Sequence, residues 1–346
     1  MPELKLYTVA QLRDWVMHNR AVEGLSEKMV SRTRAYALVN NPYVKDEDSV
    51  VAAIFIDGEN VAYVTSFPEK IGDNRYWWFS ALWCSPKYEG NGYGLIVIGS
   101  LAEEYGVEFC LDRWGANETV EIFTYLGHKT VYTPRYSLGV HINRDTTKGK
   151  CIYQIRKLQT RLHRAIERYR YKDYSLRYLS YIDAVTYAFI CAHRSNDYLH
   201  HTQAYLNWGL QYSYIQSTPL IERVSAKMPF SQSELPDTQM YAVEAHDGDT
   251  IIGFYIMKKK DESLHILYLF YDETHKNQVF ASIRDHVKQM KIGQCVTENE
   301  ALAEFLQKEI YFPKRSVAEV SFSTPNEMTQ PRKGQVQYGD GDCLMV

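Results

Sequence analysis

The sequence predicts an α/β protein built from two similar halves, each a mixed, mostly antiparallel sheet flanked by helices, with a helical segment joining them. Three observations predict this. Hydrophobic residues alternate with a period near two in some stretches and near 3.6 in others, and the two kinds of stretch follow one another along both ends of the chain. Two Asp-Gly dipeptides, Asp57-Gly58 and Asp247-Gly248, each separate a pair of β-rich stretches, as a tight hairpin requires. The order of elements after the first hairpin also recurs after the second, ending in Asn117-Glu118 before Phe123 and Asn299-Glu300 before Phe305, which reads as a diverged internal duplication.

Each element follows from its residues. Thr8 to Asn19 and Leu25 to Asn41 are amphipathic and opened by Thr or Ser, so they predict helices. Ser49 to Phe67 is the first hairpin, and Tyr76 to Ser85 a third strand, apolar on both faces and therefore central, stopped by Pro86. A glycine-containing loop leads to a helix from Tyr93. Val107 to Trp114 predicts a strand, Asn117 to Leu126 a helix closed by Gly127, and Thr130 to Ile142 one or two last strands. Cys151 to Tyr171 carries apolar residues at steps of three and four, and a second stripe of Lys157, Arg161, Arg164, Arg168 and Lys172; more helix is expected over Tyr181 to His193 and Asp197 to Gln211. The second series follows: Met240 to Lys259 as a hairpin, Ser263 to Tyr271 as a strand, Lys276 to Lys291 as a helix, Gly293 to Val296 as a strand, Asn299 to Lys308 as a helix and Ala318 to Ser323 as a strand. The domains so drawn are residues 1–146, a helical connector 147–215, a second sheet domain 216–324 and a loose tail 325–346.

Composition narrows the function classes. Hydrophobic residues at 45% and charged residues at 23% exclude a disordered or collagen-like chain. A formal net charge of −3 provides no global pull toward nucleic acid or an anionic membrane. Six scattered cysteines, none in a CxxC, fit reduced thiols in a cytosol better than a zinc site or a disulfide framework. With no signal-peptide pattern and no apolar run near the ~20 residues that cross a bilayer, a cytoplasmic, membrane-free protein is expected.

The chemistry concentrates in Leu82 to Gly94 (LWCSPKYEGNGYG). A central strand enters a loop with Gly90, Gly92 and Gly94, and the loop opens a helix whose first N–H groups lack intrahelical partners, an arrangement that suits a pyrophosphate. No Gly-Lys-Ser/Thr ends the loop, so a Walker site is excluded, and the glycine spacing and third-strand position disfavour a dinucleotide fingerprint. His193, Asp197, His200 and His201 have the spacing of metal ligands but nothing that fixes three on one face, and no metal is expected.

Leu82 to Gly94, together with Ala116 to Lys129, resembles the GNAT superfamily of acyl-CoA-dependent N-acetyltransferases, whose signature is Q/R-x-x-G-x-G/A after a central strand. The resemblance implies that Trp83, Cys84 and Ser85 line pantetheine, that Gly90, Asn91, Gly92, Tyr93, Gly94 and Leu95 hold the pyrophosphate, and that Asn117 joins the coenzyme side. It implies acetyl-CoA as donor and a primary amine of a small metabolite or amino sugar as acceptor, attacking the thioester directly, with a homodimer left open. Two positions depart from the family: Glu89 stands where Gln or Arg is usual, and Phe123 stands where a Tyr commonly reprotonates the thiolate. Tyr125 supplies that hydroxyl only if the helix register differs; Asp112, ending the next strand, is the base candidate, and a paired surface or capping carboxylate is its alternative. Trp77, Trp78 and Trp114 would suit a sugar or the core. The second half carries Asp272-Glu273-Thr274-His275-Lys276 in place of the glycine loop, so it is not expected to bind coenzyme A. Two other functions stay open: a non-catalytic acyl-CoA-binding regulator, and an aminoacyl transferase using charged tRNA on the basic stripe.

Overall fold

Local chemistry starts several of the helices. In the computed structural model, which describes residues 1–113, 117–139, 174–195, 197–212, 238–260, 262–310, 315–325 and 336–341 with four isolated positions between 147 and 155, helix α1 (Val9–Met17) begins with a Thr8–Gln11 capping box. Ser31 caps α2 (Arg32–Val39), Asp183 caps α5 (Ala184–His193) and Thr202 caps α6 (Gln203–Gln211). The remaining helices are α3 (Tyr93–Tyr105), α4 (Asn117–Tyr125), α7 (Lys276–Gln289) and α8 (Glu300–Ile310). The helix expected over Leu25 to Asn41 is therefore confined to its second half, because the serine that captures free N–H groups is Ser31.

The described strands are β1 (Glu3–Thr8), β2 (Ser49–Ile56), β3 (Glu59–Ile71), β4 (Asn74–Cys84), β5 (Cys110–Arg113), β6 (Lys129–Gly139), β7 (Ser175–Leu179), β8 (Thr238–Asp247), β9 (Thr250–Lys260), β10 (Ser263–Tyr271), β11 (Gln294–Thr297) and β12 (Arg315–Thr324). The Asp57-Gly58 turn forms, with φ of 51° and 80°, the left-handed pair of a tight hairpin; the second hairpin turns one residue later than expected, at Gly248-Asp249, because Asp247 still pairs with Thr250 and the positive φ, 57°, falls on Gly248. Strand β1 and strand β7, which interrupts the stretch expected to be a helical connector, lie at the two edges of the sheet, in the order β1-β2-β3-β4-β5-β12-β6-β11-β10-β9-β8-β7.

This order reveals an exchange. Among the described strands only β4–β5 and β10–β11 are parallel, one pair in each half. The last strand of each half then crosses over: β12 pairs with β5, β6 pairs with β11, and β6 and β12 pair antiparallel with each other along their lengths. Each half thus completes the sheet of the other.

Three apolar clusters cover the sheet. One joins α3 and α4 to β2–β5, and a second joins α7 and α8 to β8–β11. The third lies on the opposite face and spans both halves, with Leu12, Leu38, Trp78, Ile190, Trp208, Phe254 and Phe322 among its members. Residues 336–341, within the stretch read as a loose tail, belong to that face: Val336, Gln337, Tyr338 and Asp340 are buried. The basic stripe from Lys157 to Lys172, Trp114 and the segment 213–237 lie outside the described residues. Among the described residues no helix is long and apolar enough to cross a membrane.

Candidate active site

Strand β4 pairs with β5 only at Trp77 with Cys110 and Trp78 with Leu111. Beyond that point the strands part, because Asp112 and Arg113 turn their ladder toward β12. In the same stretch the pairing of β4 with β3 shifts register, and Ala81 takes φ of 54°, a conformation that non-glycine residues rarely hold. The result is a wedge between β4 and β5, with a bulged strand along one wall. Sequence reading did not find the bulge, since alanine in an apolar strand carries no mark of positive φ.

The open end of the wedge meets the glycine loop. Ser85 donates its N–H to Val61 O at 2.8 Å and begins a single 3-10 turn over Pro86–Tyr88. Gly90 and Gly92 have φ of 84° and 77°, and a Cβ on either would meet nothing within 4 Å, so glycine is required there by conformation and the loop faces open space. Gly94 is a close approach: a Cβ there would lie 3.3 Å from Cys84 Sγ, which would have to give by a few tenths of an ångström. This seats α3 on the end of β4 and points the first N–H groups of a 13-residue helix at the wedge.

The expected site residues are therefore mostly gathered. Trp83, Cys84 and Ser85 form the end of β4, and Gly90 to Leu95 form the loop and first turn of α3; Trp83 stacks on Tyr63 with ring centroids 5.6 Å apart. Burial and the nearby Glu89 charge both raise the Cys84 thiol above its ordinary range, the wrong direction for a thiolate nucleophile. Glu89 itself is exposed. Asp112 is buried at the end of β5, opposite Ser323 of β12. Asn117 is exposed at the start of α4.

Tyr125 is not brought to the wedge. It ends α4 with its side chain 80% exposed, while Phe123 points inward at 0%, against Phe79 and His128. The helix keeps the register that its sequence implies, so Tyr125 does not replace the missing hydroxyl. Trp77 and Trp78 are core residues: Trp77 stacks on Tyr105 at 3.7 Å, and Trp78 donates Nε1–H to Glu69 Oε2 at 2.7 Å.

On the α2 side of the wedge lies a polar network that sequence reading missed. Arg34, buried on α2, donates to Ser80 Oγ, one residue before the bulge. His201 contacts Glu69 through Nδ1 and Asp340 Oδ1 through Nε2 at 2.7 Å. Asp340 also lies 3.6 Å from Arg113, which donates to Glu298 Oε2 at 2.5 Å. His201 thus serves as a bridge between two carboxylates, while His193 is tied to Phe189 O.

Burial alone would hold His201 neutral, but the Glu69 and Asp340 carboxylates outweigh it and raise its pKa to about 10. A histidine with a raised folded-state pKa stabilises the fold fully below its unfolded value near 6.5 and loses that stabilisation as pH rises through 10. Wild-type stability is therefore expected to fall between pH 7 and 10 by up to about 1.4 kcal/mol per pH unit. His201→Gln should flatten that slope in urea titrations; an unchanged slope would remove the charged bridge.

Over its whole length the chain superposes on a solved candidate acetyltransferase of Pyrococcus horikoshii, covering 100% of this chain and 96% of that one, with a TM-score of 0.54 at 10% identity. The chain shares the fold of that acetyltransferase. A GCN5-related N-acetyltransferase from Anabaena variabilis is also similar, with a TM-score of 0.49, 11% identity and coverage of 93% of this chain and 72% of that one. So is a tandem GNAT protein from the clavulanic acid biosynthesis pathway, with a TM-score of 0.48, 9% identity and coverage of 94% and 98%. No family model matches the chain, and no curated protein matches it in sequence. The glycine loop belongs to the N-terminal half. At the matching place in the C-terminal half, Asp272 turns back on its own loop, accepting from Thr274 N–H at 2.8 Å.

Proposed function

We propose that the N-terminal half transfers an acetyl or other acyl group from a coenzyme A thioester to a primary amine of a small metabolite or amino sugar. The observation that supports this most is the continuity of the β4 wedge, from the Ala81 bulge to the loop whose glycines open α3. In this reading Trp83, Cys84 and Ser85 line pantetheine. Gly90, Asn91, Gly92, Tyr93, Gly94 and Leu95 hold the pyrophosphate on backbone N–H groups, and Asn117 borders the same arm. A β4 N–H beyond the bulge polarises the thioester carbonyl. The amine nitrogen bonds to the carbonyl carbon as the C–S bond breaks; its proton leaves through water to Asp112, and the thiolate takes a proton from water.

Calorimetric titration with acetyl-CoA and free CoA tests the donor site, with one equivalent bound at micromolar Kd as the expected result. Absence of binding overturns the proposal. Asp112→Asn is expected to lower kcat about 10- to 100-fold with coenzyme affinity unchanged, a split that marks a proton-transfer role. Equal losses in turnover and binding would reassign Asp112 to structure. The buried Phe123 favours a second reading, a non-catalytic acyl-CoA-binding protein, in which binding is retained and no amine is acylated.

A further inference from the structure

The C-terminal half repeats the wedge. β10 pairs with β11 over Ser263–His265 and then parts from it, and a register shift between Ile266 and Tyr268 bulges the strand as Ala81 bulges β4. The two strands can be aligned on shared landmarks. Trp78 and His265 are the last parallel-paired residues, and 3-10 turns begin at Pro86 and Glu273, equally far beyond them. Leu267 then corresponds to Ser80, and Leu269 to Leu82.

In the C-terminal half this freed edge is occupied. Gly339 donates its N–H to Leu267 O at 2.8 Å, and Leu269 donates its N–H to Gln337 Oε1, also at 2.8 Å. Tyr338 OH lies 2.6 Å from His265 Nδ1, and a Cβ on Gly339 would come within 2.3 Å of the Tyr268 ring. An amide carbonyl therefore sits on the N–H that corresponds to that of Leu82. Buried strand groups need hydrogen-bond partners, and the chain itself supplies them.

The same segment then reaches the N-terminal wedge. Asp340 contacts His201 and Arg113, and Tyr205 OH donates to Gly341 O at 3.3 Å. A Cβ on Gly341 would lie 3.3 Å from the Trp78 ring and 3.4 Å from Arg113 Cβ. Trp78 and Arg113 stand where β4 and β5 separate.

We propose that the β10 groove is a peptide-binding site filled in cis by residues 336–341, which act as an internal ligand of the C-terminal half and brace the point where the N-terminal wedge opens. The groove selects a tight turn, closed here by Asp340 N–H donating to Gln337 O at 3.1 Å, with a small residue over Tyr268 and an amide side chain two residues earlier, the pattern of Gln337-Tyr338-Gly339. The parallel with a coenzyme amide rests on the proposed function; the occupancy of β10 does not.

Gly339→Val in the full chain tests this. The added side chain cannot stand on the Tyr268 ring, so the segment should lift, and amide exchange should rise at least tenfold over residues 266–271 and 336–341, and also over 110–113. The hexapeptide Val336–Gly341, added at millimolar concentration, should restore protection of 266–271 in the variant; the same peptide with Gln337→Ala should not. Unchanged exchange at 266–271, or failure of the peptide to restore it, overturns the internal ligand, and unchanged exchange at 110–113 overturns the brace. Gln337→Ala in the full chain, which adds no bulk, should raise exchange over 266–271 in the same direction. Calorimetry with acetyl-CoA on the wild type fails or succeeds independently of these readouts, so loss of the donor reading would be recognised separately.

Discussion

Gly92→Asp is expected to lower affinity for acetyl-CoA at least 100-fold while shifting the melting temperature by no more than about 4 °C. Gly92 precedes α3 with φ of 77°, and a Cβ there meets nothing within 4 Å. The fold therefore bears only the left-handed cost, about 1–2 kcal/mol for an ordinary residue and less for aspartate, whose side chain bonds locally. The coenzyme meets two obstacles. The new carboxylate can cap the helix and occupy the N–H groups offered to the pyrophosphate. It also sets a negative charge about 5 Å from a phosphate, worth about 3 kcal/mol of repulsion at an effective dielectric of about 20, which is roughly 100-fold in Kd. Gly92→Ala carries the same backbone cost without the charge, so it should lose much less. Wild-type affinity in a folded Gly92→Asp protein would move the pyrophosphate away from this loop.

The glycine loop was legible because backbone conformation limits the residues that can build it. Gly90 and Gly92 need positive φ, and the hairpin residues Asp57, Gly58 and Gly248 do as well, so these features leave marks in the sequence at or next to the positions where they act. A short-range cap such as Thr8 is legible for the same reason, whereas the cap of α2 is Ser31, inside the stretch expected to be helical from Leu25. The exchange of β6 and β12 is not, since strand pairing depends on partners far along the chain and each strand reads equally well beside its own half. Nor is the polar network. Glu69, His201 and Asp340 are separated by 132 and 139 positions, and each stands in a stretch whose local pattern gives a different reading: an apolar strand, a histidine-rich turn and a Gly-containing tail. Tyr125 shows the converse case. Its two-residue offset from Phe123 already places it on another face of the helix, and the structure holds that geometry.

The second large effect is expected at Arg113, where the two halves are joined by charge. Its side chain is 1% exposed, and its partners Glu298 and Asp340 are each 2% exposed. Arg113→Met keeps most of the volume but removes the cation from two buried carboxylates. Arg135, 3.4 Å from Glu298, and His201, 2.7 Å from Asp340, compensate only in part. Breaking a buried pair from one side costs about 3–5 kcal/mol, because the remaining charge is stranded in a poorly solvated site. The variant is therefore expected to lose that much in urea unfolding. Adding Glu298→Gln should recover more than half, since it removes the stranded charge and keeps the shape. A loss below about 1 kcal/mol, or no recovery in the double variant, would show that water reaches the pair and that the exchanged strands alone hold the halves together. With recovery, the N-terminal wedge and the C-terminal half share one electrostatic unit: Arg113 ends β5 at the mouth of the wedge, while Glu298 precedes α8 of the other half.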